Sequence, residues 1–304
     1  MASPLLEATE LRKEFGSGPV LDGIDLDMDR DEIVALLGPN GAGKSVLLSC
    51  LAGDTIPDAG RVRVFDQYTP SDRPARLRSS VLTQGRTADP DLTGRENIAF
   101  YADLHPQWTN RWKNLVERFD LAAELDRPVA EYSGGMVRKL ELTIALTPDV
   151  PLYLLDEPTA ELDLSVMATV RDVLAEIRAD GRTIVLASHA PQDAELADRI
   201  AFIARGNIVA EGSPESLRES VPPVVRAGSR TPINAVLPEE RIFADGAEQR
   251  GFLNGESGEQ LPDRSVIESE TSVDIVEPNY TDVFNYYAHV AHLDESSPTA
   301  PARQ

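Results

Sequence analysis

A glycine-rich octet that joins two apolar runs is the feature that most constrains the fold of this chain. Residues 32–37 form a short run dominated by branched apolar side chains, which is typical of a buried parallel strand. Residues 46–51 continue with apolar side chains at helical spacing. A strand, a glycine loop and a helix in this order predict a phosphate-binding loop, whose glycines turn main-chain N–H groups toward an anion. The octet is Gly38, Pro39, Asn40, Gly41, Ala42, Gly43, Lys44 and Ser45.

Two carboxylates follow a second strand pattern. Residues 152–155 are apolar, and Asp156 and Glu157 come directly after them. Parallel sheets bind ligands at the carboxyl ends of their strands, so these acids are expected beside the phosphate loop. There Lys44 would bridge the β- and γ-phosphates of a nucleotide, while Ser45 and Asp156 would hold Mg²⁺. Glu157 would orient or deprotonate the attacking water, although an isolated Asp-Glu pair in so acidic a chain is more often a solvated strand end.

Two further polar residues each close a strand-like run. Gln84 follows residues 81–83, and its amide is expected to reach the water bound to Mg²⁺. His189 ends the apolar run 183–188 and is expected near the γ-phosphate. Either residue alone is a weak signal, because a histidine at a strand end is usually a hydrogen-bonded surface residue. Their weight comes from their position among the other motifs.

A second glycine motif precedes a helical stretch at residues 137–146. Ser133 is a good helix N-cap, and Gly134 and Gly135 permit close approach of the main chain to an anion. A capped helix after a loop is the simpler interpretation of this segment alone. It does not explain why the segment comes shortly before the carboxylates that follow the strand at 152–155.

The order of these motifs resembles the nucleotide-binding subunit of ABC transporters, from residue 4 to about residue 217. The resemblance implies an α/β fold with a P-loop NTPase core, which is a mostly parallel sheet with flanking helices. It also implies an N-terminal antiparallel β subdomain and a helical subdomain at about residues 86–140 that carries the signature motif 132–136. Residues 1–217 would form the ATP-binding domain, and 218–304 a small C-terminal extension.

The same resemblance implies nucleotide contacts outside the octet. Phe15 would stack on adenine, Val20 would lie beside the nucleotide, and Val46 stands where most such subunits carry threonine. Phe15 could instead be a core residue of an N-terminal strand.

The resemblance also implies that the chain works as a pair. The signature residues Ser133, Gly134 and Gly135 would face the ATP of a second copy. The segment 159–163 would cross that interface, with Glu161 in place of the commoner glycine. Whether the pair is a homodimer or a heterodimer stays open.

The absence of an apolar stretch of about 20 residues predicts that a separate integral-membrane permease supplies the transport path. The helical subdomain would receive that permease. The N-terminus lacks a signal-peptide pattern, and Cys50 is the one cysteine, so no disulfide framework is expected. These features predict a peripheral protein on the cytoplasmic face of the membrane.

The formal net charge of −22 is the strongest feature of the composition. It predicts a salt-rich cytoplasm, in which screening suppresses self-repulsion, and hence a halophilic archaeal source. An ordinary acidic protein is the alternative. The charge argues against a nucleic-acid partner because no basic patch offsets it. Lysine occurs only at Lys13, Lys44, Lys113 and Lys139.

The pattern changes after Leu217. Residues 222–272 are rich in proline, glycine and glutamate, which predicts a loop-heavy or partly disordered segment. Residues 273–284 resemble the C-terminal segment of ABC-2 drug-resistance exporters, where a strand and a proline precede a helix with an Asp-Val-Phe step. A generic amphipathic helix that packs on the main domain explains the same residues. A disordered tail is predicted from about Leu293.

The leading hypothesis is therefore the ATP-hydrolysing subunit of an ABC-2 exporter that uses ATP and Mg²⁺. A soluble ABC ATPase acting on ribosomes is the alternative, although such proteins usually carry two modules in one chain. A chromosome or repair ATPase would interrupt the module with a long coiled coil, and no heptad run separates Gln84 from Ser133. An uptake system stays possible, and the cargo is open.

Overall fold

A six-stranded sheet places the phosphate loop, the two carboxylates and the histidine along one edge. The structure is a computed structural model that describes residues 3–16, 18–228, 237, 241–246, 248–253 and 273–291. The strands in these ranges are β1 Leu6–Phe15, β2 Gly18–Met28, β3 Ile33–Leu37, β4 Ala59–Val64, β5 Ser79–Leu82, β6 Leu152–Asp156, β7 Thr183–Ser188, β8 Arg199–Ala204, β9 Asn207–Gly212, β10 Val224–Gly228, β11 Ile242–Asp245, β12 Glu248–Phe252 and β13 Val273–Val276.

The helices lie mainly between these strands. They are α1 Lys44–Ala52, α2 Arg73–Arg76, α3 Gly94–Leu104, α4 Arg111–Arg118, α5 Gly134–Leu146, α6 Leu164–Ala179, α7 Pro214–Ser220 and α8 Tyr280–Asn285. Short 3-10 turns occur at Ala122–Glu124, Val129–Glu131 and Pro191–Leu196, and a π-helical turn, Tyr286–Val290, continues from α8. None of the helices in the described ranges combines the length and the apolar character that a membrane span requires.

The order of strands in the central sheet is β5-β6-β7-β3-β8-β9, and all but β9 run parallel. Strands β3, β6 and β7 are buried along their whole length, as their apolar runs predict. Asp156 pairs in register with Ala187, and Leu37 pairs with Ser188. The residues that follow these three strands therefore meet at one edge of the sheet.

Two apolar layers cover the faces of the central sheet. One layer includes α6. The apolar stripe of this helix is buried, as its helical spacing predicts, and consists of Val166, Val170, Val173 and Ile177. The other layer contains α1 and a three-stranded antiparallel sheet of order β2-β1-β4. The structure confirms the α/β class and the antiparallel N-terminal subdomain that the sequence predicts.

A separate helical cluster contains α3, α4 and α5 with its own apolar core. The side chain of Ser133 caps α5 by accepting a hydrogen bond from the main-chain N–H of Met136 at 3.2 Å, as predicted. Thr93 and Glu96 form a capping box at the start of α3. These caps fix where the two helices begin, and α5 leads from the helical cluster back to the central sheet.

The C-terminal extension contains a four-stranded antiparallel sheet of order β11-β12-β10-β13. Strands β10, β11 and β12 lie within the segment 222–272, for which the sequence predicts no strands. These strands are only four or five residues long, so they show too little alternation to be recognised, and β10 pairs with strands distant in the sequence. The rest of that segment, and the tail from Leu293, lie outside the described residues.

Helix α8 docks the extension on the central sheet. It follows β13 and Pro278, as the Asp-Val-Phe pattern predicts. Val283 and Phe252 belong to the same buried cluster as Phe202 of β8. The rings of Phe202 and Phe284 lie edge to face with centroids 5.3 Å apart. The extension thus shares one apolar core with the strands that hold the phosphate loop.

Candidate functional site

The phosphate loop is held tightly against its surroundings at two glycines. A Cβ added to Gly38 would overlap the main-chain oxygen of Ile203, so only glycine fits there. Gly43 has a φ of +105°, and an added Cβ would lie 2.7 Å from the main-chain oxygen of Val20. Val20 therefore supports the loop through its main chain. These two contacts explain why this loop requires glycine, independently of any ligand.

Lys44 lies against the loop that precedes it. Its Nζ donates hydrogen bonds to the main-chain oxygens of Gly38 at 2.7 Å and Pro39 at 3.0 Å, and the residue is buried. Burial lowers the pKa of Lys44, while the charges of Glu157 and Asp156 act in the opposite direction. A buried ammonium group with only carbonyl partners is well suited to bind a further anion.

Ser45 and Asp156 bring two hard oxygen donors together. The hydroxyl of Ser45 donates to Oδ1 of Asp156 at 3.1 Å, across the gap between the first turn of α1 and the end of β6. Burial raises the pKa of Asp156, and the negative charge of Glu157 adds to that effect. A carboxylate that the protein desolvates beside a hydroxyl fits Mg²⁺, which prefers oxygen ligands.

Glu157 and His189 form the second polar pair at this edge. Nδ1 of His189 lies 2.8 Å from Oε1 of Glu157. The carboxylate is almost fully buried and the imidazole is half exposed. Glu157 has a φ of +49°, in the left-handed region, and its main-chain N–H donates to the oxygen of Ala187 at 2.9 Å. The side chain is thus held on an uncommon main-chain conformation and directed at the imidazole.

The sequence does not predict the contacts of two buried residues at this edge. Oδ2 of Asp193 accepts hydrogen bonds from Thr159 at 2.8 Å and Ser188 at 2.7 Å, and so joins the loops after β6 and β7. Arg138 of α5 donates to the main-chain oxygens of Asp156 and Glu157. Neither residue has a sequence signal of its own, since an Asp in a surface-like turn and an Arg in a helix are usually solvated.

The signature glycines lie against the segment after Glu157. A Cβ added to Gly134 would overlap the carboxylate of Glu161, and one added to Gly135 would lie 3.1 Å from the main-chain oxygen of Glu161. Glu161 has a φ of +63°, a conformation for which glycine is better suited. Ser133, Gly134 and Gly135 therefore lie next to the 159–163 segment of their own chain.

The other predicted residues differ in their exposure. Gln84 is exposed and makes no side-chain hydrogen bond with the described residues. Phe15 is 50% exposed at the end of β1, so it is not the core residue that the alternative interpretation required. Val46 packs partly buried on the layer that contains α1. On the loop itself, Asn40 and Gly41 are exposed while Ala42 is buried.

Comparisons with known proteins agree with this geometry. A family model described as ABC transporter matches residues 21–160. The daunorubicin resistance ATP-binding protein DrrA3 of Streptomyces coeruleorubidus is 35% identical over 257 residues, which is 81% of this chain and 81% of that protein. The Nod factor export ATP-binding protein I of Ralstonia nicotianae is 36% identical over 71% of this chain and 69% of that protein.

Solved structures give the same result. A structure of the ATP-binding subunit of an ABC transporter has a TM-score of 0.65 and 26% identity, over 71% of this chain and 92% of the other. A dimeric ATP-binding cassette bound to ADP and Pi has a TM-score of 0.63 at 21% identity, over 69% and 98%, and shows likeness of fold. With a phosphate loop, a Ser45–Asp156 pair and a Glu157–His189 pair on one sheet edge, this chain belongs to the ATP-binding, ATP-hydrolysing proteins of the ABC transporter family.

Proposed function

We propose that this chain is the ATP-hydrolysing subunit of an ABC-2 type exporter and that it drives translocation through a separate integral-membrane permease. The meeting of Lys44, the Ser45–Asp156 pair and the Glu157–His189 pair at one edge is the observation that carries the proposal. The export direction is supported by relatives whose names refer to daunorubicin resistance and Nod factor export.

The residues of the loop would bind the phosphates, and Lys44 would leave its carbonyl partners to bridge the β- and γ-phosphates. Ser45 and Asp156, with Gln84 after closure, would hold Mg²⁺. The ion would neutralise charge on the phosphate oxygens. Phe15, exposed at the end of β1, would stack on the adenine, and Val20 would contact the nucleotide next to the loop.

Hydrolysis would use Glu157 as the base. The oxygen of a water molecule attacks the γ-phosphorus, and its proton passes to the Glu157 carboxylate. The bond between the γ-phosphorus and the bridging oxygen breaks, and that oxygen leaves as part of ADP. His189 would hold the Glu157 carboxylate in place through Nδ1 and interact with the γ-phosphate.

A second copy of the chain would complete each site. Ser133, Gly134 and Gly135 lie at the N-terminus of α5, where main-chain N–H groups and the helix dipole favour an anion. They would contact the nucleotide held by the partner copy, and the 159–163 segment would cross between the copies. ATP would thus close two chains around two nucleotides, and hydrolysis would allow them to separate.

Glu157→Gln tests the catalytic assignment. We expect ATP turnover to fall by about 10²–10⁴-fold because the amide cannot accept the proton, while ATP-induced dimerisation survives. Phosphate release and size-exclusion chromatography with ATP measure the two effects. Glu176→Gln is the matched control, since Glu176 is exposed and pairs with Arg118 on α4. Undiminished turnover in Glu157→Gln would contradict the mechanism.

An apolar groove beside the helical cluster is the proposed permease contact. It is lined by β5, α3 and α5, including Val81, Tyr101, Leu104 and Trp108. Val81 is 37% exposed and Leu104 is 60% exposed, and both line this one groove, where exposed apolar side chains that lie together mark an interaction site. A short helix from the permease with apolar side chains would cover this surface, next to Gln84.

Copurification from membranes tests this contact. A tagged chain expressed in a high-salt host should retain a polytopic membrane protein after gentle solubilisation. Val81→Glu should lose that protein, whereas Val209→Glu should keep it, because Val209 has a similar exposure of 42% but lies on the opposite edge strand β9. Recovery with ribosomes only, or without a membrane protein, would favour a non-transport ATPase and overturn the exporter proposal.

The location follows from the same proposal. A chain docked through this groove would lie on the cytoplasmic face of the membrane as a peripheral protein. The charge of −22 supports a halophilic archaeal source. Thermal melting at molar and at low salt tests that source, and a sharp transition kept in dilute buffer would contradict it.

A further inference from the structure

Arg138 is a buried cation that donates to main-chain oxygens and also forms an ion pair with one carboxylate. It lies on the second turn of α5, and only 8% of its side chain is exposed. Nη2 donates to the main-chain oxygens of Asp156 and, at 2.6 Å, of Glu157. Nη1 donates to the main-chain oxygen of Thr83 at 3.2 Å. One guanidinium group therefore joins the signature helix to the ends of β5 and β6.

Glu157 needs such support because its main chain is strained. A non-glycine residue in the left-handed region is strained, and it persists only where its surroundings hold it. The φ of Glu157 is +49°. Its N–H is bound to Ala187, and its carbonyl oxygen is bound to Arg138. Both peptide groups that flank its Cα are thereby held, and this fixes the direction in which the carboxylate points.

Glu141 holds the guanidinium in this orientation. It lies nearly one turn after Arg138 on α5, and its Oε2 is 3.6 Å from Nη1 of Arg138. Its other oxygen, Oε1, accepts a hydrogen bond from the main-chain N–H of Thr87 at 2.7 Å. Both residues are buried. The Arg138–Glu141 pair thus ties α5 to the segment on either side of Gln84, which borders the apolar groove.

We infer that Arg138 is a positioning residue for ATP hydrolysis, which holds the left-handed main chain of Glu157 and makes the direction of its carboxylate depend on the orientation of α5. The inference rests on the proposed role of Glu157 as the base. Because α5 begins at the signature glycines, any rotation of the helical cluster would be transmitted to the catalytic carboxylate through one side chain.

Arg138→Lys is the main test. Lysine keeps the charge but cannot donate in a fork to three oxygens, so the Glu157 main chain would lose its support. We expect kcat to fall about tenfold or more, with the Kd for ATP within about threefold of wild type. Arg111→Lys is the matched control, because Arg111 donates to the main-chain oxygen of Leu146, at the far end of α5, and to the hydroxyl of Tyr153 on β6. That variant should keep the kcat of the wild type.

A double-mutant cycle separates positioning from a general structural role. In the Glu157→Gln background, Arg138→Lys should cause no further loss of the residual turnover, because its effect passes through Glu157. A further loss of similar size, or a wild-type kcat in Arg138→Lys alone, would overturn the inference. High turnover in Glu157→Gln alone would instead refute the proposed function.

Glu141→Gln keeps the inference testable if Arg138→Lys does not fold. The amide oxygen of glutamine can still accept the hydrogen bond from Thr87, but the substitution removes the negative charge beside the guanidinium. A smaller fall in kcat, about threefold to tenfold, is expected with unchanged ATP affinity. An unchanged kcat in a folded Glu141→Gln protein would overturn the inference.

Discussion

Two buried arginines, one at the nucleotide edge and one in the C-terminal extension, show two different uses of the same side chain. Arg138 donates to main-chain oxygens of the loops that carry the candidate catalytic residues. Arg250 of β12 donates from Nε and Nη2 to the two carboxylate oxygens of Asp282, at 2.8 and 2.6 Å. Their side chains are 8% and 6% exposed, so burial alone does not distinguish them.

The difference lies in what each arginine fixes. Arg250 joins a strand of the extension to α8, and Asp282 also completes the capping box of that helix with Asn279. The Arg250–Asp282 ion pair links two elements of the extension, so its loss should lower the free energy of unfolding. Arg138 holds a strained main chain at Glu157, and its loss should be measured as turnover. The comparison predicts that stability and catalysis can be changed separately in this chain.

The largest expected effect on stability is that of Asp282→Ala. It removes a fully buried carboxylate from a buried guanidinium, and the loss of one partner of such a pair costs about 3–5 kcal/mol. The free energy of unfolding, from denaturant titration, should fall by that amount. Below the melting temperature, ATP turnover should stay close to that of the wild type.

Asp274→Ala is the control for this prediction. Asp274 of β13 pairs with Arg226 of β10 at 3.0 Å. The side chain of Asp274 is 69% exposed, so little change in stability is expected. If Asp282→Ala abolished turnover in a protein that is still folded, the separation between the two regions would be wrong.

Asp193→Ala tests the separation of stability from catalysis more sharply. Asp193 lies at the same edge as Glu157 and His189, yet its contacts are buried hydrogen bonds. The hydroxyls of Thr159 and Ser188 would lose their acceptor, at a cost of about 1–3 kcal/mol in the free energy of unfolding. Turnover should fall as well, since these residues flank Glu157 and His189. Melting temperature and kcat, measured on the same preparation, check both effects.

Glu195→Ala is the matched control. Glu195 lies on the same 3-10 turn as Asp193, and both carboxylates lie near Arg171, but Glu195 is 59% exposed. It should change neither quantity appreciably. A loss of stability in Asp193→Ala with unchanged kcat would assign this network to the fold alone.

The smallest expected effect is a gain in stability. Burial raises the pKa of Asp156, so the folded chain disfavours the ionised carboxylate, and stability falls as pH rises from the ordinary pKa of aspartate to the raised one. Asp156→Asn removes this penalty. The nucleotide-free variant should therefore melt at a higher temperature than the wild type at about pH 8, and the difference should shrink as the pH is lowered toward the ordinary pKa of aspartate.

Asp172→Asn, on the exposed face of α6, should leave the melting temperature unchanged across this range. Asp156→Asn should also lose Mg²⁺-dependent turnover. The carboxylate that function requires would then be one that lowers the stability of the nucleotide-free protein. An equal or lower melting temperature for Asp156→Asn at the higher pH would contradict this interpretation.

Local chemistry explains which features could be predicted from the sequence. The capping of α5 by Ser133 depends on residues only three positions apart, and this prediction is confirmed. The carboxyl ends of β3, β6 and β7 meet because parallel strands share one direction, so Ser45, Asp156, Glu157 and His189 could be grouped in advance. Their catalytic roles stay predictions.

The remaining features depend on contacts between distant segments. Strand β10 pairs with β12 and β13, and no pattern within five residues reveals such partners. Arg138 and Asp193 are ordinary polar residues by pattern, and only the packing of α5 and of the 191–196 turn makes them buried. Gln84 is exposed in the structure, and its contact with Mg²⁺ stays a prediction.

Cys50 has a practical consequence. It lies buried on α1, and burial raises the pKa of its thiol to about 11, so almost none of it is the reactive thiolate near neutral pH. It is also the one cysteine of the chain. A thiol introduced at an exposed position such as Leu164, which is 84% exposed beside the 159–163 segment, could therefore carry a fluorophore or spin label without removal of the native cysteine. The proposed opening and closing of two copies could then be followed in real time on an otherwise unaltered protein.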